Sequence, residues 1–190
     1  MKTIKLSILL AFMVLVGLQV QAQDSFNLSG TQEFKVSGTS TLHDWDMIAK
    51  DGVKGNMKAS INGSSIQEIS SLKIILPVST LKSGKSAMDN KAYEALDVKA
   101  NPNIYYELTE VEEIGNGKVK AKGKLTIAGH SKPISMNVGY KVNNGVITFT
   151  GEQPVTFKEF QVDPPTAVFN TIKTGNDLKI SFTAQFKSTR

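Results

Sequence analysis

His43, Asp44, Trp45 and Asp46 form the densest run of chemically capable side chains in the chain, with Ser40 three residues ahead of the histidine. An imidazole flanked by carboxylates has the residue types of a metal site or of a general acid–base pair. Ser40, His43 and Asp44 also have the residue types of a nucleophilic triad. Backbone geometry argues against each. Successive side chains of an extended segment point to opposite faces, so Asp44 and Asp46 share one face while His43 takes the other. A metal would need ligands converging from elsewhere, and the second histidine, His130, belongs to a different turn. Crowding in sequence is not triad geometry, and no nucleophile-elbow pattern is present. The cluster reads best as a turn that opens a strand, with recognition of a ligand headgroup as the other option.

The elements that must position this cluster are strands. From Trp45 the odd-numbered residues Met47, Ala49, Val53, Gly55, Met57, Ala59 and Ile61 are apolar or small, and Lys54, Asn56, Lys58 and Ser60 alternate with them. We expect one long bent strand here, interrupted at Asp51-Gly52 by a bulge or turn. Gln32 to Ser40 alternates as a first strand, preceded by a frayed polar lead-in. Leu72, Ile74, Leu76 and Val78 share a face in a third. Val119, Ala121, Gly123, Leu125 and Ile127 oppose Lys118, Lys120, Lys122 and Lys124 in the clearest strand of all. Ile134 to Val142, Val146 to Phe157 and Leu178 to Phe186 complete the set, with Ile104 to Leu108 before them. Asn62-Gly63, Gly115-Asn116-Gly117 and Asn143-Asn144-Gly145 supply turn chemistry between strands.

The period changes once. Met88, Ala92, Ala95 and Leu96 form a helical stripe, Ser86 and Asp89 have the spacing of a capping box, and Asn101-Pro102 ends the segment. This short helix would cover an open end or edge of the sheet. About eight one-sided strands joined by short turns define an all-β, antiparallel fold with one short inserted helix, either a closed barrel or a two-sheet sandwich; long sequential hairpins without the longer crossings of a Greek key favour the barrel. Barrels of that size either fill with side chains or hold one ligand. Ala49, Gly55, Ala59, Ala121, Gly123 and Ala184 on the inner face favour a cavity.

Bulk properties narrow the function. Residues 1–22 read as a signal peptide: a basic start, an apolar run from Leu6 to Leu18, and Val20-Gln21-Ala22 at the cleavage position. Residues 23–190 then form one domain, and the protein is expected to be periplasmic or secreted. The 190-residue sequence contains no cysteine, which removes thiolate catalysis, thiolate metal sites and disulfides together. Of the formal charge of +5, Lys2 and Lys5 supply two units, and Arg190 is the only arginine. Nucleic-acid readers rely on arginine forks, so nucleic acid is not an expected partner. The Lys118–Lys124 stripe reads as a solvated strand face, with contact to an anionic membrane surface as the other option.

Several segments resemble the YceI-like family of exported lipid-binding proteins. They are Phe34 to His43, Gly55, Val78 to Gly84, Met88-Asp89, Ala95 to Tyr106 and Gly123 to Ile134, and they cover most of the mature chain in order. The resemblance implies a lipocalin-like barrel whose interior holds a long polyisoprenoid-type chain, such as an isoprenoid quinone. Asp44-Trp45-Asp46 and Asp163-Pro164-Pro165 depart from the commoner members.

Residues and resemblance together give an expected lipid-binding lining of Trp45, Met47, Met57, Ile74, Leu76, Tyr106, Leu125, Met136, Tyr140, Phe149, Ile180 and Phe182. Catalytic residues, metal ligands and cofactors are not expected, apart from an isoprenoid lipid or quinone as ligand. The oligomeric state is open, with a dimer among the options. The competing readings are a hydrolase or isomerase using His43 with Asp44 or Asp46, and a structural or stress-accessory module with a filled core.

Overall fold

A computed structural model describes residues 23–189 apart from 168 and 170. The expected signal peptide, residues 1–22, lies outside the described residues. The chain forms strands β1 (Asp24–Ser40), β2 (Trp45–Ala49), β3 (Lys54–Asn62) and β4 (Ser65–Pro77), then helix α1 (Ser86–Ala95). Strands β5 (Asn103–Gly115), β6 (Lys118–Ile127), β7 (His130–Asn143), β8 (Val146–Thr156), β9 (Thr166–Ala167) and β10 (Ile172–Ser188) follow.

All strands belong to one antiparallel sheet that closes on itself through β1 and β10. Of its ten strands, β2 and β3 share β1 as partner and act as one broken stave, and β9 is a two-residue edge on β10. Eight staves therefore enclose the interior, and closure leaves no long free edge. Side-chain alternation decides which face turns inward. In β6, Val119, Ala121 and Leu125 are buried while the four lysines between and before them are exposed.

Two expectations near the start of the chain are corrected. The polar lead-in is strand: β1 begins at Asp24, and residues Asp24–Asn27 pair with Ala59–Asn56 of β3. Phe26 within it is 1% exposed, so a single well-placed aromatic outweighs the polar composition around it. The expected long strand from Trp45 to Ile61 is two strands. Gly52 takes φ +71 at the break, and a Cβ there would meet Thr80 Cγ2 at 2.8 Å. Opposite the break, β1 carries its own irregularity between Leu28 and Gln32.

Turn chemistry acts as expected where left-handed backbone is needed. Asn116-Gly117 and Asn144-Gly145 take positive φ at both positions, which matches the twist of the flanking strands. The β5–β6 ladder shifts register after Leu108 and again after Val111. The β4–β5 ladder is confined to Lys73–Pro77 against Asn103–Glu107, and the β7–β8 ladder to Gly139–Asn143 against Val146–Thr150.

The two ends of the barrel differ. At the end bearing the Gly63, Gly117 and Gly145 turns, Phe26, Met57, Ile66, Ile147 and Phe186 pack into a dense core. At the other end lie the β1–β2 turn, α1, and the segment between β8 and β10. The β4–α1 connection is stitched to β2 by reciprocal backbone bonds between Ile48 and Lys82, at 2.9 and 3.0 Å. Helix α1 is held by its own side chains as well. Asp89, 8% exposed, accepts from the Ser83 amide at 2.8 Å and from the Ser83 hydroxyl at 2.6 Å. The Tyr93 hydroxyl donates to the Leu81 carbonyl at 2.7 Å. The expected Ser86–Asp89 capping box is thus replaced: the helix N-cap is Lys85 with no side-chain cap bond, and Asp89 reaches back to Ser83. Aspartate is too short to return to its own helix start, but long enough to hold the preceding turn.

Candidate functional site: the barrel cavity

A cavity of about 740 Å³ occupies the barrel beneath α1. Its wall is built from the inward residues of all eight staves and from one face of the helix. Trp45 and Met47 come from β2, Ile74 and Leu76 from β4, Tyr106 from β5 and Leu125 from β6. Met136 comes from β7, Phe149 from β8, and Ile180 and Phe182 from β10. Those residues were all expected in the lining. Met57 and Tyr140 are not in the wall; both are buried in the core, at 1% and 8% exposure. Alternation correctly places them inward. Neighbours pack against them closely enough to leave no void, as with the tilted pair of Tyr140 and Phe149 at 6.5 Å.

The wall also contains residues that sequence reasoning passed over. Ala87, Met88, Ala92 and Ala95 of α1, with Leu96 at its C-cap, line the cavity, so the helical stripe is its roof. Phe34, Val36, Leu72, Leu108 and Leu178 continue the apolar surface on β1, β4, β5 and β10. The same alternation could have found the strand residues; the helix was expected to cover an open end or edge, but its stripe was outside the expected lining.

Small residues make the room. Gly123 of β6 stands beside Tyr106 of β5, and a Cβ there would collide with Tyr106 Cε2, Cζ and the hydroxyl oxygen. The Tyr106 ring therefore lies across the neighbouring strand. Gly38 plays the same part for Trp45: its Cβ would lie 2.8 Å from the indole Cε2 and 3.0 Å from Leu178 Cδ2. The Trp45 Nε1–H donates to the Thr39 carbonyl at 3.0 Å, which fixes the indole plane at the edge of the cavity.

The polar cluster that opened the sequence lies at the rim. Ser40 Oγ accepts from the backbone amides of Leu42 and His43, both at 3.2 Å, and donates to the His43 carbonyl at 2.8 Å. The His43 Nδ1 contacts the Asp44 carbonyl at 2.6 Å. Asp46 faces outward, 3.9 Å from Lys35. Ser40 and His43 thus serve the turn between β1 and β2, and each also contributes to the cavity rim. Among the described residues, no group of three or more His, Cys, Asp or Glu side chains is placed to hold a metal ion.

Electrostatics concentrate outside the barrel. The β6 lysine stripe meets a row of carboxylates on β5. Lys122 contacts Glu110 at 3.1 Å and Glu112 at 2.8 Å, and Lys120 contacts Glu112 at 3.1 Å. Glu107 bridges Lys73 at 2.8 Å and Lys124 at 3.6 Å. Lys122 and Lys120 hold the Glu112 carboxyl below its ordinary range, and Lys73, with Lys124 adding less, does the same for Glu107. These ion pairs neutralise much of the stripe's positive charge. Inside, burial pushes the Tyr106 phenol up to about 12, so it stays protonated throughout the neutral range.

A closed eight-stave barrel with an apolar cavity under a helical roof is a lipocalin-like architecture. The chain belongs to the YceI-like domain family, whose model matches residues 21–186. Among solved structures, Burkholderia cenocepacia BcnA is similar at 16% identity, with TM-score 0.67 over 81% of this chain and 95% of that one. A polyisoprenoid binding domain from Saccharophagus degradans, implicated in plant cell wall breakdown, aligns at 10% identity with TM-score 0.63, covering 86% and 98%. A Campylobacter jejuni YCEI protein aligns at 22% identity with TM-score 0.56, covering 74% and 86%. Identities this low establish the shared fold. A search of curated proteins found no match to the sequence.

Proposed function

We propose that this protein is an exported carrier that holds a long isoprenoid-type lipid inside its barrel and performs no chemistry on it. The observation that carries the reading is the cavity of about 740 Å³, walled almost entirely by apolar side chains. Such a wall recognises length and hydrophobicity. Each five-carbon isoprene unit moved from water into it contributes roughly 3–4 kcal/mol at about 0.8 kcal/mol per methylene, before ordering costs. Several units suffice for a tight complex without a strong polar contact.

Family membership and the likeness to a domain described as polyisoprenoid binding support the ligand class. The signal-peptide pattern of residues 1–22 supports export. The rim chemistry supports a carrier over an enzyme, because Ser40 and His43 are engaged in their own turn and Asp46 faces away from the cavity.

Native mass spectrometry after mild extraction should reveal a co-purified lipid with the mass of a prenyl chain. Trp45, the single tryptophan, lines the cavity, so an added prenylquinone should quench its fluorescence in a saturable way. Repeated recovery of ligand-free protein with no saturable quenching would overturn the reading. Replacing His43 by Ala should leave lipid affinity within a few-fold; a turnover lost by orders of magnitude would identify an enzyme instead.

A further inference from the structure

The cavity wall contains a phenol that the protein itself leaves unpaired. Three other polar groups of the wall are engaged: Ser40 within its turn, His43 on the Asp44 carbonyl, and Gln153 Nε2 on the Pro154 carbonyl at 3.0 Å. Tyr106 Oη makes no hydrogen bond within the protein among the described residues. Tyr106 is half-buried and its hydroxyl is open to the cavity, so it is free to bond whatever fills that space, as tyrosine hydroxyls on apolar surfaces ordinarily do. Tyr106 is also held in place. It sits one inward position below Ile104 on β5, opposite Leu125 of β6 and Ile74 of β4, and its ring occupies the space that Gly123 leaves open. An oriented donor with nothing to donate to, inside an apolar cavity, is a recognition element.

We infer that the Tyr106 hydroxyl is the polar anchor of the cavity, donating to a neutral acceptor oxygen on the bound lipid, so that a prenyl chain bearing a carbonyl, as in a prenylquinone, is selected over a plain prenyl hydrocarbon. The inference rests on the lipid-carrier reading and refines its ligand class. A neutral oxygen fits because the surrounding wall, Ile74, Ile104, Leu125 and Leu178, offers nothing to compensate a charge. The raised phenol keeps the proton that the bond requires. The lysines of the wall, Lys35 of β1 with Lys85 and Lys91 of the helical segment, lie on different elements.

The test compares a prenylquinone with a polyprenyl hydrocarbon of matched length, on the wild type and on Tyr106→Phe. Phenylalanine keeps the ring over Gly123, and a melting curve checks that the fold is retained. The ratio of quinone to hydrocarbon affinity should fall by about 5–10-fold in the variant, the worth of one hydrogen bond in a dry site. Infrared spectra of quinone labelled at its carbonyls should show a lowered carbonyl stretch in the wild-type complex, relieved in Tyr106→Phe. An affinity ratio unchanged within twofold, or a carbonyl stretch identical in both proteins, overturns the anchor while leaving the carrier reading intact. Failure of both ligands to bind the wild type overturns the carrier reading and the anchor with it.

Discussion

The ring of Tyr106 occupies the space above Gly123 on the next strand, where any other residue would place its Cβ inside the phenol. A small residue and a large one thus share one volume, and the pair sets the shape of the cavity wall. Gly123→Ala must displace the ring or move β6, so it should cost about 1–3 kcal/mol, as overpacking generally does. Adding Tyr106→Ala should recover much of that loss, giving strong non-additivity in chemical denaturation. Simple addition of the two single effects would mean that the ring does not depend on the glycine.

The roof of the cavity hangs on Asp89. Its carboxylate takes both the amide and the hydroxyl of Ser83; Asp89→Ala leaves the amide without that acceptor, while the hydroxyl keeps the Lys85 carbonyl at 3.1 Å. We predict a loss of about 1–2 kcal/mol, concentrated in local opening of α1. Hydrogen exchange of amides in Ser86–Ala95 should accelerate about tenfold or more, while β6 amides change little. Uniform acceleration through the barrel would argue against an independent roof.

The two ends of the barrel should respond differently to truncation. Phe26 is 1% exposed in the packed end, and Phe26→Ala should cost about 3–5 kcal/mol. Leu108 lines the cavity and already faces a void on one side. Leu108→Ala in ligand-free protein should therefore cost less than half as much, since fewer atoms lose contacts. Equal losses, measured by urea denaturation, would contradict a barrel that is filled at one end and hollow at the other.

Acid should loosen the outer face of β5 and β6. Glu112 is held below the ordinary carboxylate range, mainly by Lys122 and Lys120. A lowered folded-state value stabilises the fold above the unfolded carboxylate range near pH 4.3, and that stabilisation is lost as pH falls through the lowered value. The melting temperature of the wild type should thus fall more steeply between pH 6 and 3 than that of Glu112→Gln, with the difference shrinking in high salt. Parallel pH profiles would show that these exposed pairs contribute nothing measurable.

The barrel's surface logic is legible in the chain alone. Strict alternation in β6 and β10 and the asparagine–glycine turns are local properties of the chain, so they could be read without knowing any partner. Inward direction was equally legible for Trp45, Ile74, Leu125 and Phe182. Where the interior is empty follows from the assembled barrel instead. Met57 and Tyr140 carry the same inward signal as Met47 and Phe149, yet they lie in packed core, because emptiness depends on what the opposite wall supplies. Closure likewise turned an apparently frayed start into strand: Phe26 is held by Met57 and Ser188, partners 31 and 162 residues away in sequence. The His43–Asp46 cluster followed the same rule. Its residue types advertised chemistry, and the fold spent them on a turn, while an unpaired hydroxyl inside the cavity came from Tyr106, a residue that periodicity had marked only as apolar lining.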